Sequence, residues 1–354
     1  MKVALFVRHN SFGGSIKVSR FLYDILKQNG YEVEVVLIRN DENNGFFNDI
    51  KTINFTNQNF KKDWFYVRRF LFFKKLIKNI NPDIVISTVN LNMPYISIFS
   101  KFLGKKVIIS EHGNHQNIKK IKKKILRFLS YKLSNIVVLL TKFDLGYFKN
   151  FKNCIQIYNP FYVEKIQSKK QNIILFPNRI DKNKRLLFLL KAFLKTDKNL
   201  QKKYKIIVCG DGEERQKCEE FAKNNNINLE IKGYVPNINE YYAKSKIVAL
   251  TSISEGLPNT LIESIFFECA RISADCVSGP SELIDNNFDG FLIHVNDIND
   301  FSQKLEILMS DNEKIQYFCK NARLREDDFN PDKISKIWLE NLKRVANENI
   351  AFYK

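Results

Sequence analysis

The chain has 354 residues, of which 44% are apolar and 27% charged. These values exclude a disordered, collagen-like or disulfide-scaffold protein, and the length predicts two domains. Residues 1–160 hold 27 basic and 10 acidic side chains, which gives a net charge of +17. Residues 161–354 hold 30 basic and 28 acidic side chains, which gives a net charge of +2. We therefore expect only the first half to meet an anionic partner such as a membrane surface, a lipid phosphate or a nucleic acid.

The first half alternates apolar strands with amphipathic helices. A buried strand at 2–7 precedes Gly13-Gly14, and a helix over 16–29 precedes a second strand at 32–38. This is the βαβ pattern of a doubly wound sheet. Further strands are predicted at 83–87, 106–110 and 136–140, and further helices over 61–80 and 117–133.

The second half repeats the pattern after a polar segment at 164–172, which is typical of a linker. Trp338 and its apolar neighbours at helical spacing predict that a last helix, 333–347, packs on a core. We therefore predict an α/β protein with two Rossmann-like doubly wound domains facing a central cleft. The expected ranges are 1–165 and 166–330, with 331–354 as a C-terminal helix at the domain junction.

Cysteine usage and hydropathy bear on where the protein works. The six cysteines include no CxxC pair and no signal peptide is recognisable, so we expect reduced thiols in the cytoplasm. The most apolar stretch, 84–99, is interrupted by Asn90, Asn92 and Pro94 and falls short of the ~20 residues that a membrane span needs. We expect a soluble or peripheral protein.

The most informative segment is TSISEGLPNTLIE at 251–263. Pro258 suits the first helical position because it has no N–H to lose there. The N–H groups of that first turn are predicted to be free to hold an anion; they belong to Asn259, Thr260 and Leu261. Glu255 and Glu263 can reach different parts of one extended ligand, and carboxylates bind sugar hydroxyls well. The alternative is an ordinary helix preceded by an acid.

Two cations, Arg179 and Lys184, follow the predicted strand at 172–176. The carboxyl end of a strand is where an α/β sheet binds ligands, so we expect these cations to neutralise a diphosphate. The alternative is surface charge in a lysine-rich loop. Weaker signals are the strand-end turns Gly210-Asp-Gly212, Gly233-Tyr-Val235 and Gly279-Pro-Ser-Glu282.

Taken together and in this order, these residues resemble the family 4 glycosyltransferases of the GT-B fold, closely over 172–310 and more loosely in the amino half. The resemblance implies that Arg179 and Lys184 hold the donor diphosphate. It also implies that Glu255 contacts the transferred sugar and Glu263 the nucleotide ribose. Five further donor contacts are implied: Gly233 and Val235 beside the base, and Leu257, Asn259 and Thr260.

The amino half carries two further parts of the resemblance. The sequence SFGG at 11–14 matches the family's glycine loop, so Gly13 and Gly14 are expected to bind the donor. The sequence SEHG at 110–113 matches the family's active-site histidine at His112, which we expect to be catalytic; His9 and His115 are weaker candidates. Ile16-Lys17 stands where the family often has an acid–Arg pair, a departure that concerns the acceptor contacts and not the fold.

The sequence also lacks the metal-binding patterns of related chemistry. There is no Asp-x-Asp clamp and no His/Cys metal-ligand spacing. Arg179 and Lys184 would take over the electrostatic task of a metal. We therefore expect no metal and no other cofactor.

Two segments carry much of the excess positive charge. Segment 61–78 interleaves seven cations with six aromatic residues, and segment 117–129 has apolar residues on one side of a helix and lysines on the other. This composition is typical of a helix at a bilayer surface. Membrane or acceptor contacts are expected at Lys61, Lys62, Arg68, Arg69, Lys75, Lys119, Lys120 and Lys123. The alternatives are a solvated lysine-rich face and single-stranded nucleic acid; since no nucleic-acid-binding motif occurs, we expect no nucleic-acid partner.

The resemblance implies a retaining, metal-independent glycosyltransferase. It would transfer GalNAc, GlcNAc or a hexose from a UDP-sugar to an undecaprenyl-diphosphate-linked oligosaccharide in bacterial surface-glycan or N-glycan assembly. The expected location is cytoplasmic, at the inner face of the plasma membrane. The alternative is a non-catalytic nucleotide-sugar or lipid-binding protein on the same scaffold.

Overall fold

The computed structural model describes residues 1–10, 14–38, 45–54, 65–89, 93–162, 166 and 168–347, without the side chains of 65–71, 93 and 117. Two compact units result. Unit 1 runs over Met1–Pro160 and resumes at Pro331, and unit 2 is Phe161–Asn330. The structural division thus follows Pro160, whereas the sequence placed the boundary after residue 165.

Unit 1 is built on a parallel sheet. Its strands are β1 (Lys2–Val7), β2 (Glu32–Leu37), β3 (Thr52–Asn54), β4 (Ile84–Ser87), β5 (Lys106–Glu111), β6 (Ile136–Leu139) and β7 (Cys154–Gln156). The helices between them are α1 (Gly14–Gln28), α2 (Phe65–Ile80), α3 (Met93–Phe102), α4 (Ile121–Leu133) and α5 (Lys142–Tyr147). Over the described ranges the strand order is β3-β2-β1-β4-β5-β6-β7.

Unit 2 repeats this architecture. Its strands are β8 (Gln171–Phe176), β9 (Lys205–Cys209), β10 (Leu229–Gly233), β11 (Ser245–Leu250), β12 (Ala270–Ala274) and β13 (Phe291–Ile293). Its helices are α6 (Leu186–Phe193), α7 (Lys198–Lys203), α8 (Arg215–Asn224), α9 (Asn239–Lys244), α10 (Asn259–Phe266), α11 (Pro280–Leu283), α12 (Ile298–Ser310) and α13 (Asn312–Ala322). The parallel order β10-β9-β8-β11-β12-β13 reverses between β8 and β11, the switch point of a doubly wound sheet.

The last helix of the described residues is α14 (Pro331–Asn347), which belongs to unit 1. Trp338 and Leu342 are buried in the same apolar cluster as Val3 and Leu5 of β1. Burial of such side chains contributes roughly 1.5–3 kcal/mol each. The apolar face predicted for this helix therefore packs against the sheet of unit 1.

The structure confirms the two doubly wound sheets predicted from the strand pattern. The basic segments differ in detail from the expectation. Part of the apolar and aromatic face of α2 belongs to the core, because Phe73 and Ile77 are completely buried. Helix α4 begins at Ile121, after a 3-10 turn at His115–Asn117. In the described part of the chain no helix is both long and apolar enough to cross a bilayer.

Candidate active site

The switch point of unit 2 brings together the cations and the carboxylate singled out in the sequence. The loop after β8 carries Arg179 and Lys184, and the loop after the neighbouring β11 carries Glu255. Lys184 Nζ donates to Glu255 Oε1 at 2.5 Å, with side-chain exposures of 15% and 11%. The predicted sugar-contacting acid and diphosphate-contacting cation thus form a largely buried ion pair.

The loop that carries the two cations is organised by a residue that the sequence analysis missed, Asp181. Its Oδ2 lies 3.1 Å from Arg179 Nη2. Its Oδ1 accepts from the backbone N–H groups of Asn183 and Lys184 at 3.0 and 2.9 Å. Aspartates in loops often form such turns by accepting from backbone N–H groups two and three residues ahead. The sequence signal that could have identified Asp181 was therefore an aspartate in the loop after a strand.

Two glycines after β9 allow this loop to pack closely. A Cβ atom on Gly210 would lie 2.1 Å from the carbonyl oxygen of Asn178, and one on Gly212 would lie 2.3 Å from that of Ile180. No side chain fits at either position. The Gly210-Asp-Gly212 turn therefore packs directly against the cation loop, the loop after β8 that carries Arg179 and Lys184.

A third glycine supports the loop that carries Glu255. Gly279 has φ +93°, and a Cβ there would lie 2.3 Å from the carbonyl oxygen of Gly256. Ser278 Oγ donates to the same carbonyl at 3.4 Å. The loop after β12 thus packs directly against the Glu255 loop, which explains the glycine in the predicted Gly279-Pro-Ser-Glu282 turn.

The amino end of α10 differs from the prediction in two ways. Pro258 is the N-cap residue and Asn259 is the first helical residue, because Pro258 adopts an extended conformation. The N–H of Leu261 donates to the Pro258 carbonyl at 3.0 Å, so the prediction that it is free was wrong. The Thr260 hydroxyl is buried without a hydrogen-bond partner. Leu257, also a predicted donor contact, is buried just before the helix.

Glu263, the predicted ribose contact, lies on the buried side of α10 at 9% exposure. Its carboxylate lies near Tyr242 of α9, whose hydroxyl donates to the Thr260 carbonyl at 3.5 Å. Burial, together with the nearby Glu263 carboxylate, raises the pKa of Tyr242 well above its usual value. The sequence analysis missed Tyr242, since nothing in its local pattern marks it out from the aromatic residues that pack in cores.

The predicted base-contacting turn lies at the end of β10. Gly233 has φ +67°, a conformation that favours glycine. Val235 is half-buried, and Tyr234 between them is 78% exposed. The loops after β8, β10 and β11 all leave the carboxyl edge of one parallel sheet, so unit 2 gathers all its predicted donor contacts at that edge.

Unit 1 carries the other predicted residues. His112 follows β5 directly, with its Nε2 atom 3.3 Å from Ser110 Oγ. Gly14 is the first residue of α1. Gly13 lies outside the described residues.

The weaker candidate His115 has a structural role. Its Nδ1 atom lies 2.8 Å from Asp144 Oδ1, and its ring stacks on Tyr147 at a centroid distance of 4.0 Å. Asp144 is itself held by Thr141, the N-cap of α5, whose hydroxyl donates to it at 2.7 Å. The Thr-x-x-Asp spacing was a capping signal that predicts such a helix start.

Comparison with known proteins identifies the family of the chain. Residues 2–139 match the family model "Glycosyl transferase 4-like", and residues 160–325 match "Glycosyl transferases group 1". A Campylobacter jejuni relative is 31% identical, with 98% of this chain and 99% of the relative covered. That relative is an alpha-1,4-N-acetyl-D-galactosaminyltransferase named for a GalNAc-containing glycan on diphospho-undecaprenol. The chain belongs to the family 4 glycosyltransferases.

A further relative supports this assignment, and a solved structure supports the fold. A second Campylobacter jejuni protein, a 4-alpha-N-acetylgalactosaminyltransferase acting on a diphospho-undecaprenol-linked sugar, is 30% identical over 75% of this chain and 77% of its own length. The Anabaena protein HepE, solved with UDP and glucose, superposes with a TM-score of 0.82 at 16% identity, covering 97% of this chain and 100% of HepE. The two parallel-sheet units of this glycosyltransferase are thus those of the GT-B fold.

Two titratable side chains stand side by side at the end of β5 of the glycosyltransferase. Burial raises the pKa of Glu111 to about 7, against the opposing effect of Arg127, whose Nη1 atom is 3.4 Å from Glu111 Oε1. Burial lowers the pKa of His112 to about 4. The predicted catalytic histidine is therefore neutral at physiological pH.

We expect these two groups to give unit 1 opposing pH dependences. Glu111, with its raised pKa, contributes stability below pH 4.5 that is lost as the pH rises to about 7. His112, with its lowered pKa, contributes stability above pH 6.5 that is lost as the pH falls to about 4. Relative to wild type, Glu111→Gln should therefore gain up to about 1.4 kcal/mol per unit as the pH rises from 4.5 to 6.5.

Urea unfolding across that pH range measures this effect. Fluorescence is suitable because Trp338 is buried in the apolar cluster of unit 1. His112→Asn is the matched variant and should show the opposite slope relative to wild type. Parallel stability curves for wild type and both variants would contradict the assignment.

The predicted membrane segments lie only in part within the described residues. Lys61 and Lys62 lie outside the described residues, as do the side chains of Arg68 and Arg69. Lys75 on α2 is exposed. Lys119, Lys120 and Lys123 are exposed at the start of α4.

Helix α4 presents an apolar surface to solvent. Ile121 and Ile125 are 69% and 61% exposed, and Phe128 is 41% exposed. Its buried face is instead formed by polar and aromatic residues, Arg127, Ser130 and Tyr131. Of the apolar side that the sequence predicted for this helix, Ile121 and Ile125 face solvent, whereas Phe128 packs against Phe148 of the core at a ring-centroid distance of 5.9 Å.

Proposed function

We propose that this enzyme is a retaining, metal-independent glycosyltransferase with a UDP-sugar donor and an undecaprenyl-diphosphate-linked oligosaccharide acceptor. The transferred sugar would be GalNAc, GlcNAc or a hexose. The observation that carries the proposal is the Lys184–Glu255 pair at the switch point of unit 2. The proposal is supported because the lysine suits a diphosphate and the carboxylate suits sugar hydroxyls, and both lie where doubly wound sheets bind ligands.

The relatives support the choice of substrates. The Campylobacter jejuni relatives are named for transfer of N-acetylgalactosamine to diphospho-undecaprenol-linked sugars, and HepE was solved with UDP. In this chain, Arg179 and Lys184 would bind the diphosphate and stabilise the charge that develops on it as the sugar leaves. Glu255 would orient the sugar through its hydroxyls.

Retention follows from the chemistry of such donors. UDP-hexosamines are alpha-linked, and the Campylobacter jejuni relatives are named as alpha-transferases. A transferase that uses an alpha-linked donor and forms an alpha linkage retains the anomeric configuration. The bond between the anomeric carbon and the diphosphate oxygen breaks while a bond to the acceptor hydroxyl oxygen forms on the same face. The hydroxyl proton passes to the leaving diphosphate, so the step needs no protein nucleophile.

A thermal-shift and turnover screen tests the donor class. A ligand at 100 times its Kd raises stability by about 2.7 kcal/mol through mass action, so UDP-GalNAc, UDP-GlcNAc or a UDP-hexose should raise the Tm. The same donor should release UDP when a diphospho-undecaprenol-linked glycan is added. Stabilisation and turnover with GDP- or CMP-sugars alone would overturn the proposal.

The membrane part of the proposal rests on α4. An amphipathic helix whose apolar side is exposed and whose ends carry lysines suits an anionic bilayer, where each cation near the surface contributes about 1 kcal/mol. Ile121 and Ile125 would insert among the acyl chains while Lys119, Lys120 and Lys123 meet the lipid headgroups. We propose that the enzyme works at the inner face of the plasma membrane in this way.

Replacing Ile121 and Ile125 together by glutamate should lower binding to phosphatidylglycerol vesicles at least tenfold. Each isoleucine would otherwise contribute roughly 1.5–3 kcal/mol on burial, and about 1.4 kcal/mol already corresponds to tenfold. Vesicle flotation measures the effect.

The matched control is Leu324→Glu in unit 2, since Leu324 is 75% exposed. It should leave flotation unchanged. Equal flotation of the double variant and wild type would contradict membrane binding through α4. Tight binding of wild type to single-stranded RNA at physiological salt would contradict a membrane as the anionic partner.

A further inference from the structure

The Asp181 carboxylate contacts both Arg179 and Lys184, the two cations in the loop after β8. We propose that Asp181 is a positioning residue for the donor diphosphate, holding the Arg179 guanidinium and the Lys184 backbone in the arrangement that transfer requires. The inference rests on the proposed function, because it assumes that these two cations bind the diphosphate. Asp181 itself would not touch the substrate.

The two oxygens of Asp181 have separate tasks. Oδ1 closes the turn by accepting from the N–H groups of Asn183 and Lys184. Oδ2 lies 3.1 Å from Arg179 Nη2. The turn fixes where the Lys184 side chain starts, and that side chain ends on Glu255 at 2.5 Å. A single side chain thus relates the positions of both cations and, through Lys184, of the predicted sugar contact.

The exposure of the Asp181–Arg179 ion pair indicates that it orders the Arg179 side chain and adds little to the folding stability. The Arg179 side chain is 65% exposed and that of Asp181 is 19% exposed. An exposed ion pair adds little to folding stability. It does restrict the rotamers of a long, flexible side chain that must meet a transferring group in a defined geometry, and small misplacements of such groups cost large factors in rate.

The charge of Asp181 has the opposite effect on ground-state binding. A carboxylate beside a diphosphate site repels the ligand and competes with it for Arg179. Loss of the charge should thus offset loss of order in UDP affinity, while turnover falls. A purely structural residue would instead lower the Tm, the affinity and the turnover together.

Asp181→Asn separates the two oxygens. The amide oxygen still accepts from the two backbone N–H groups, whereas the NH₂ group that replaces Oδ2 cannot accept from Arg179. We expect kcat with UDP-GalNAc or the preferred UDP-sugar to fall at least about tenfold, as for other misplaced catalytic groups. The Kd for UDP should change less than about threefold, because order and charge oppose each other. The Tm should stay at the wild-type value.

The matched control is Asp197→Asn. Asp197 Oδ1 accepts from the N–H groups of Asn199 and Leu200 at 2.8 and 3.2 Å, the same turn geometry. It caps α7, which leads into β9 and so lies at the amino edge of the sheet, away from the donor loops. This variant should keep wild-type kcat and UDP affinity.

A double-mutant cycle tests whether Asp181 acts through Arg179. In the Arg179→Ala background, Asp181→Asn should lower kcat less than twofold, because the partner is already gone. A full tenfold loss in that background, or an unchanged kcat for Asp181→Asn alone, would overturn the inference. If wild type itself neither binds UDP nor transfers from a UDP-sugar, the proposed function fails first and the inference falls with it.

Discussion

Glu255→Ala should reduce turnover by about 10²–10³ while UDP binds as tightly as to wild type, or more tightly. The proposed contact of Glu255 is with the sugar, and removing one preorganised group at the reacting centre costs about 10²–10³ in kcat. Its loss also frees Lys184, which it now holds at 2.5 Å, for the diphosphate. Calorimetry with UDP and a UDP-release assay measure the two effects separately.

Glu263→Ala should have the complementary effect. Loss of a charged hydrogen bond to the ribose would weaken UDP binding by about 1.5–3 kcal/mol. Because Tyr242 lies beside Glu263 and its hydroxyl donates to the Thr260 carbonyl of the same helix, Tyr242→Phe serves as the control for a purely structural contribution. Equal loss of UDP affinity in Glu263→Ala and Tyr242→Phe, or equal kcat in Glu255→Ala and Glu263→Ala, would contradict the division of roles.

The fold was predictable because apolar strands and glycine-closed helices alternate through both halves of the chain. Parallel strands buried on both faces leave continuous apolar runs, such as β1 and β5, whose cores are almost completely buried. Arg179, Lys184 and Glu255 were predictable as neighbours because strand ends β8 and β11 meet at the switch point of such a sheet.

The supporting residues were not predictable in the same way. Asp181, Tyr242 and Asp144 act through contacts with groups that are set by local loop geometry or by packing between distant segments. The sequence offers a turn signal at Asp181 and a capping signal at Asp144, but neither signal shows that these carboxylates contact Arg179 and His115. Tyr242 has the residue type of an ordinary core. The exposed apolar face of α4 was visible as a pattern, but only the structure shows that Arg127 and Tyr131 take the buried side instead.

The donor edge of unit 2 also explains why its glycines stand where they do. Gly210, Gly212 and Gly279 each bring one loop backbone against another at distances that exclude a side chain. Two of these contacts support the cation loop and one supports the Glu255 loop. The site is thus positioned from neighbouring strand ends, and a group held in this way loses little order when the donor binds.

Transfer should survive EDTA, whereas Arg179→Ala and Lys184→Ala should each lower kcat by about 10²–10³. The physical reason is that the charge developing on the leaving diphosphate needs a counter-charge, and these two side chains supply it from the carboxyl edge of β8. Lys182→Ala is the matched control, because Lys182 lies in the same loop and is exposed. It should keep wild-type turnover, which shows that position and not general positive charge matters. Complete loss of activity in chelator, restored by magnesium or manganese, would contradict metal independence even if both cation variants were inactive, since the cations would then act beside a metal ion and not in its place.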